Sequence, residues 1–124
     1  TQPNASRHDI EHSDWYNSVT KYVLSHGKPP TGSKAEIIGK NLAGDIQKIK
    51  SLPGKNILMI GSPGAAHSLM QKDLIDEFWL CIYPVLLGGG IPLFPSLKDK
   101  VELTLTSSKN YNTGPVRLIY SLSR

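Results

Sequence analysis

Residues 57 to 70, ILMIGSPGAAHSLM, run apolar as far as Gly61, break through Ser62, Pro63 and Gly64, and then turn amphipathic. This is the pattern of a strand ending at the mouth of a helix. Ser62 suits the N-cap and Pro63 the first helical position. Glycines at 61 and 64 let a ligand come close to the backbone. The unpaired amides of the helix's first turn, with its dipole, favour an anion such as a phosphate. Proline removes one of those amides. The motif is neither G-x-G-x-x-G nor a P-loop, because no Lys-Ser/Thr follows. On local grounds a plain strand-to-helix turn and a phosphate cradle stand level.

A second glycine cluster, Gly88-Gly89-Gly90, follows an apolar run directly. Three consecutive glycines carry an entropic cost, which points to unusual dihedrals or a ligand against the backbone, with a plain loop as the alternative. HDIEH at 8–12 spaces two histidines at i and i+4. It imitates the H-E-x-x-H zinc helix with the shorter Asp9 in place of glutamate, and no third ligand follows, so no metal is assigned. His67 lies in the helix after the turn and is expected at the surface or partly buried. The chain lacks the central serine of a nucleophile elbow. Asp76 and Glu77 enter a strand pointing to opposite faces, which makes them a poor acid/base pair and suggests strand-edge solvation.

The bulk numbers bound these readings. A chain of 124 residues suffices for one domain with one core. Its net charge of +4 is spread without a dense Lys/Arg block or interleaved aromatics, so nucleic acid is not an expected partner. The single cysteine, Cys81, sits in FWLCIYPVLL and is expected to be a small buried hydrophobe. With no disulfide framework within the chain, a reducing, cytoplasmic setting is expected. No stretch approaches the ~18 consecutive apolar residues of a membrane span, and no membrane partner is expected. No signal peptide is visible, and the sequence opens at Thr1.

Residues 1–13 are polar and read as a loop or tail, followed by a helical turn in DWYNSV. KYVLS (21–25) reads as a strand, HGKPPTGS (26–33) as turn chemistry, and AEIIG (35–39) as a short second strand. NLAGDIQKIKSLPG is the clearest helix. Asn41 is its candidate cap, Leu42, Ile46, Ile49 and Leu52 form one face, and Pro53-Gly54 stop it. NILMI (56–60) predicts a strand buried on both faces, and a helix is expected from Pro63 to Lys72. EFWLCIYPVLL (77–87) predicts a long buried strand bent at Pro84, and GGGIPLFPS a loop. VELTLTSS and VRLIYSL alternate, with Val101, Leu103 and Leu105 on one face and Val116, Leu118, Tyr120 and Leu122 on another. NTG turns between them, which predicts a C-terminal antiparallel hairpin. The expected class is α/β, a mixed sheet flanked by helices, in a single domain over residues 1–124.

The segment ILMIGSPGAAHSLMQKDLIDEFWLCIYPVLLGGGIPLF resembles the C-terminal reductase domain of the bifunctional riboflavin-biosynthesis deaminase/reductase. It resembles still more the small bacterial proteins of the dihydrofolate reductase family that share that domain. The residues carrying this likeness are Gly61-Ser62, Leu69, Leu74-Ile75-Asp76-Glu77, Pro84-Val85, Leu87 to Gly90 and Pro92-Leu93-Phe94. KYVLSHG is similar to that family's K-Y-V-V-S-R-T strand, so the likeness extends over roughly residues 14 to 122. The resemblance implies a dihydrofolate-reductase-like fold that binds NADPH. It implies that Gly61, Ser62, Pro63, Gly64 and Ala65 form the turn under the cofactor pyrophosphate. It places Ser25 and His26 near the adenosine 2′-phosphate, and Gly88 and Gly89 near the active-site cleft. His26 and Gly27 stand where the family has Arg and Thr, so the fixed guanidinium fork for phosphate is missing and NADH stays open beside NADPH. Lys28 is a substitute cation.

Members of that family begin with an S-L-D-G-type strand that contributes to the substrate pocket, and no such strand is in this sequence. The expectation is a piece of a longer protein. The alternatives are completion of the sheet by a second chain, or a degenerate homologue with a rearranged sheet. The functional expectation is a nicotinamide-dependent reductase passing hydride to a heterocyclic small molecule of pterin or pyrimidine type, acting as a homodimer, with no catalytic residue assigned. The rival is a non-catalytic nucleotide-binding or dimerisation module derived from the same fold.

Overall fold

The computed structural model describes residues 4–25 and 35–123. The chain forms two compact units, residues 1–42 and 43–124.

The first unit opens with helix α1 (Arg7–Ser18), which includes the helical turn expected in DWYNSV and replaces, from Arg7 on, the loop or tail that the polar sequence predicts over residues 1–13. The correction has a local cause. Ser6 and Asp9 form a reciprocal capping box: Asp9 N–H donates to Ser6 Oγ (3.2 Å), and Ser6 N–H donates to Asp9 Oδ2 (2.9 Å). Arg7 then pairs with Glu11 one turn on, at 2.7 Å. None of the helix's residues is buried, so no apolar face announces it. Strands β1 (Tyr22–Leu24) and β2 (Glu36–Ile38) pair in parallel, Tyr22 opposite Glu36 and Leu24 opposite Ile38. Lys21 Nζ lies 4.3 Å from the centre of the Tyr16 ring, which ties the end of α1 to the start of β1. The expected turn at 26–33 lies outside the described residues.

The second unit takes up all but the first residue of α2 (Leu42–Ser51), the helix whose apolar face the sequence shows plainly. Ile46 is buried, and Asp45 in the first turn and Lys48 and Lys50 in the last complement the helix dipole. The strand expected at 56–60 is absent. Ile57 and Ile60 are 50% and 72% exposed, and the run has no ladder partner among the described strands. An apolar run becomes a strand only where a neighbour takes its N–H and C=O groups. Helix α3 (Pro63–Met70) follows, with Ala66 and Leu69 buried.

Strands β3 (Glu77–Ile82), β4 (Leu103–Asn110) and β5 (Val116–Leu122) form an antiparallel sheet in the order β3-β5-β4. The expected C-terminal hairpin is β4–β5. Its turn closes with Tyr111 N–H on Pro115 O and Gly114 N–H on Tyr111 O, both 2.9 Å. A bulge between Leu105 and Ser107 shifts the register, and Thr106 Oγ1 donates to Ile119 O at 3.1 Å. β5 is the middle strand and buries Ile119. β3 differs from expectation. It stops at Ile82, before Pro84, and its far side is open, so Trp79 is 62% exposed and Cys81 is exposed rather than buried. Proline cannot donate to the ladder, which ends the strand. The molecule is thus α/β with an antiparallel C-terminal sheet, its parallel and antiparallel strands held in separate sheets.

Candidate functional site

Two successive residues, Gly61 (φ 68°) and Ser62 (φ 52°, ψ 75°), take the left-handed conformation at the entrance to α3. For serine this costs about 1–2 kcal/mol, and strain of this kind tends to collect where a ligand is held. Ser62 occupies the N-cap position but makes no side-chain cap bond. A capping side chain needs an extended backbone to reach the amides ahead of it. The sequence reading is right about the position and wrong about the bond. The consequence favours a ligand. The first intrahelical bond runs from Ala66 N–H to Ser62 O at 3.0 Å, so the amides of Gly64 and Ala65 before it are not used by the helix. Pro63, as expected, has none to offer.

Glycine at 64 has no positive φ to explain it, and a Cβ there would meet nothing within 4 Å. Open space is also found around Gly61. Gly61 to Ala65 thus form an exposed to half-exposed turn, with the Gly64 and Ala65 amides unused by the helix and open space where a side chain at 61 or 64 would go.

His67 stands one turn beyond Gly64. It is half-buried, its Nε2 lies 2.9 Å from the Gln71 amide nitrogen, and its Nδ1 is buried with no hydrogen-bond partner. The sequence places this histidine but carries no sign of the orphaned nitrogen. That depends on what packs around α3.

Gly88 (φ 72°) and Gly90 (φ 155°) both adopt backbone conformations that favour glycine, and residues 88–90 are exposed. Phe94, four residues on, packs edge-on against Phe78 of β3 at 5.4 Å and returns the loop to the sheet. No hydrogen bond joins 88–90 to 61–64 among the described residues. Ser25 belongs to the other unit, where its N–H donates to Ile38 O at 2.9 Å. His26 lies outside the described residues. Asp76 is more than strand-edge solvation. It takes Lys50 Nζ at 2.6 Å, linking α2 to the residues ahead of β3. Glu77 accepts from the Trp79 indole.

Comparison with known proteins decides the family. The model of the RibD C-terminal domain matches residues 14–116. The chain belongs to the RibD C-terminal domain family. Two Bacillus subtilis (strain 168) proteins are similar to it. YyaP is 32% identical over 114 residues, covering 90% of this chain and 61% of its own length. YwjB is 32% identical over 107 residues, covering 85% and 60%. The RibD C-terminal chain therefore spans about three fifths of those relatives. Among solved structures, a candidate riboflavin biosynthesis protein from Shewanella sp. PV-4 superposes with a TM-score of 0.74 at 21% identity, over all of this chain and 84% of that one. A pyrimidine reductase-like protein from Corynebacterium diphtheriae superposes with a TM-score of 0.60 at 19% identity, over 83% and 50%. These two likenesses show that the chain shares their fold. No described helix is long and apolar enough to cross a membrane.

Proposed function

We propose that this chain holds the nicotinamide nucleotide of a reductase that acts on a heterocyclic small molecule of pterin or pyrimidine type. The observation that carries the proposal is the turn at 61–65. Gly64 is a glycine with no conformational reason to be one, placed under free amides at a helix N-terminus. Family membership supports the same use of the turn. The Gly64 and Ala65 amides donate to the pyrophosphate, and the left-handed Gly61-Ser62 pair keeps the capping side chain out of its way. The bound nicotinamide supplies the hydride. The residues of this chain bind and orient it. Gly88 and Gly89 form a second backbone surface at which a flat ring can lie. NADPH is the proposed cofactor, with NADH as the competitor, because His26 stands where the family carries arginine.

The proposed homodimer rests on a different observation. Beyond β3, Tyr83, Val85, Leu86 and Leu87 are all more than half exposed, an apolar stretch of the kind that a second subunit covers. This stretch also favours the rival reading, a module that assembles without turning over.

NADPH oxidation against dihydrofolate and aminopyrimidine substrates separates the two readings. Substrate-dependent loss of reduced nicotinamide supports the reductase. Dimerisation with saturable nucleotide binding and no turnover supports the module.

A further inference from the structure

We propose that the polar face of the β3-β5-β4 sheet carries a separate binding site for a small organic anion borne on a flat ring, held by Lys109 and Arg117 between Trp79 and Tyr111. The register sets Cys81, Arg117 and Lys109 in one row across the three strands. Residues directly opposite in neighbouring strands share a face, so two cations stand side by side there. Like charges so placed repel, and no carboxylate pairs with either among the described ion pairs. Each cation lies over an aromatic ring instead. Arg117 Cζ is 5.3 Å from the Trp79 ring centre, and Lys109 Nζ is 5.0 Å from that of Tyr111.

Arg117 Nε is buried and has no hydrogen-bond partner. Burying an unmatched N–H costs about 1–3 kcal/mol, and folded proteins leave few such groups. An anion bound by the guanidinium answers both the repulsion and the unmatched donor. Arg117 opens onto a depression of about 350 Å³ whose walls include Trp79, Tyr83, Tyr111 and Thr113. The aromatic walls suit a flat ring, and the threonine hydroxyl and the guanidinium fork suit a carboxylate or phosphate. Glu77 is the acid on this face. It is engaged by the Trp79 indole, which fixes the plane of the ring rather than neutralising the cations. The site does not depend on the turn at 61–65.

The test uses phenyl phosphate and inorganic phosphate as probes on the full chain. A Trp15→Phe background leaves Trp79 as the single fluorescent indole. Phenyl phosphate is expected to change Trp79 emission saturably and to bind more tightly than inorganic phosphate. Arg117→Gln and Lys109→Gln are each expected to weaken it about tenfold, the loss of one charge-assisted hydrogen bond. The lone thiol, Cys81, is expected to alkylate more slowly when phenyl phosphate is bound. The proposal is overturned by a linear, unsaturable response, or by affinity in the two variants that is unchanged from that of the Trp15→Phe parent. It is also overturned if inorganic phosphate binds as well as phenyl phosphate. Self-association that Trp79→Ala abolishes would mark the face as a contact between copies of this chain, and would overturn it too.

Discussion

Gly64 and Gly114 are glycines for opposite reasons, and the difference is measurable. Gly64 lies in the first turn of α3 with an ordinary φ and open space where a Cβ would go. Nothing in the fold itself requires it. Gly64→Ala is therefore expected to stabilise the protein by about 0.5–1 kcal/mol, the helical advantage of alanine over glycine, read as a higher Tm. The bulkier Gly64→Val is expected to fold normally yet weaken nucleotide binding, because its methyls occupy the space above the free amides. Gly114 has φ 108°, and a Cβ there would stand 2.8 Å from Pro84 Cγ. A proline ring cannot swing aside as the tip of a long side chain does. Gly114→Ala is expected to cost about 1–3 kcal/mol from backbone strain alone, seen as a lower midpoint in urea unfolding. A neutral Gly114→Ala would mean that the β4–β5 turn does not pack on Pro84.

At the scale of elements, α1 shows what a helix can rest on when nothing buries it. Two hydrogen bonds from Ser6, first to the Asp9 side chain from the serine hydroxyl and then from its backbone, hold the Asp9 carboxyl below its usual value of 3.8. A carboxyl lowered in the folded state contributes stability that is fully present above its unfolded value and is lost as pH falls through the lowered one. Helicity measured by circular dichroism on the intact chain should therefore hold level above the usual 3.8 and drop below it. Ser6→Ala, which keeps the backbone donor and loses the hydroxyl, should shrink that acid-dependent step. The same helix explains what was hard to read in the sequence. α2 and the β4–β5 hairpin were legible because an apolar period and a glycine-bearing turn announce them locally. α1 carries only a Ser-x-x-Asp box in a polar segment, a weaker sign than the usual Glu or Gln. Residues 56–60 depart from the expected strand for the converse reason. Ile57, Leu58 and Ile60 have the composition of a buried strand, but pairing comes from a neighbour and is not encoded in the run itself. Burial of Cys81 failed likewise, since it depends on what covers the outer edge of β3.

For the whole molecule, the family and the α/β class were legible because the glycine turn, Leu-Ile-Asp-Glu and the triple glycine recur in a fixed order. The site was legible only in part. The break at Gly61 to Ala65 shows in the sequence, and its cofactor role there is what the family resemblance implies, while the left-handed Ser62, the absent cap bond and the orphaned His67 Nδ1 are properties of packing. The central claim is that the turn at 61–65 holds a nicotinamide dinucleotide, and calorimetric titration with NADPH tests it most directly. The wild-type chain and Gly64→Val would be titrated in parallel with NADPH and with NADH. The account predicts saturable one-site binding of NADPH to the wild-type chain. It predicts affinity lower by about tenfold or more in Gly64→Val, equivalent to losing about 1.4 kcal/mol, with no fall in Tm. Equal affinity in the two proteins, or no heat of binding from either nucleotide, would contradict it.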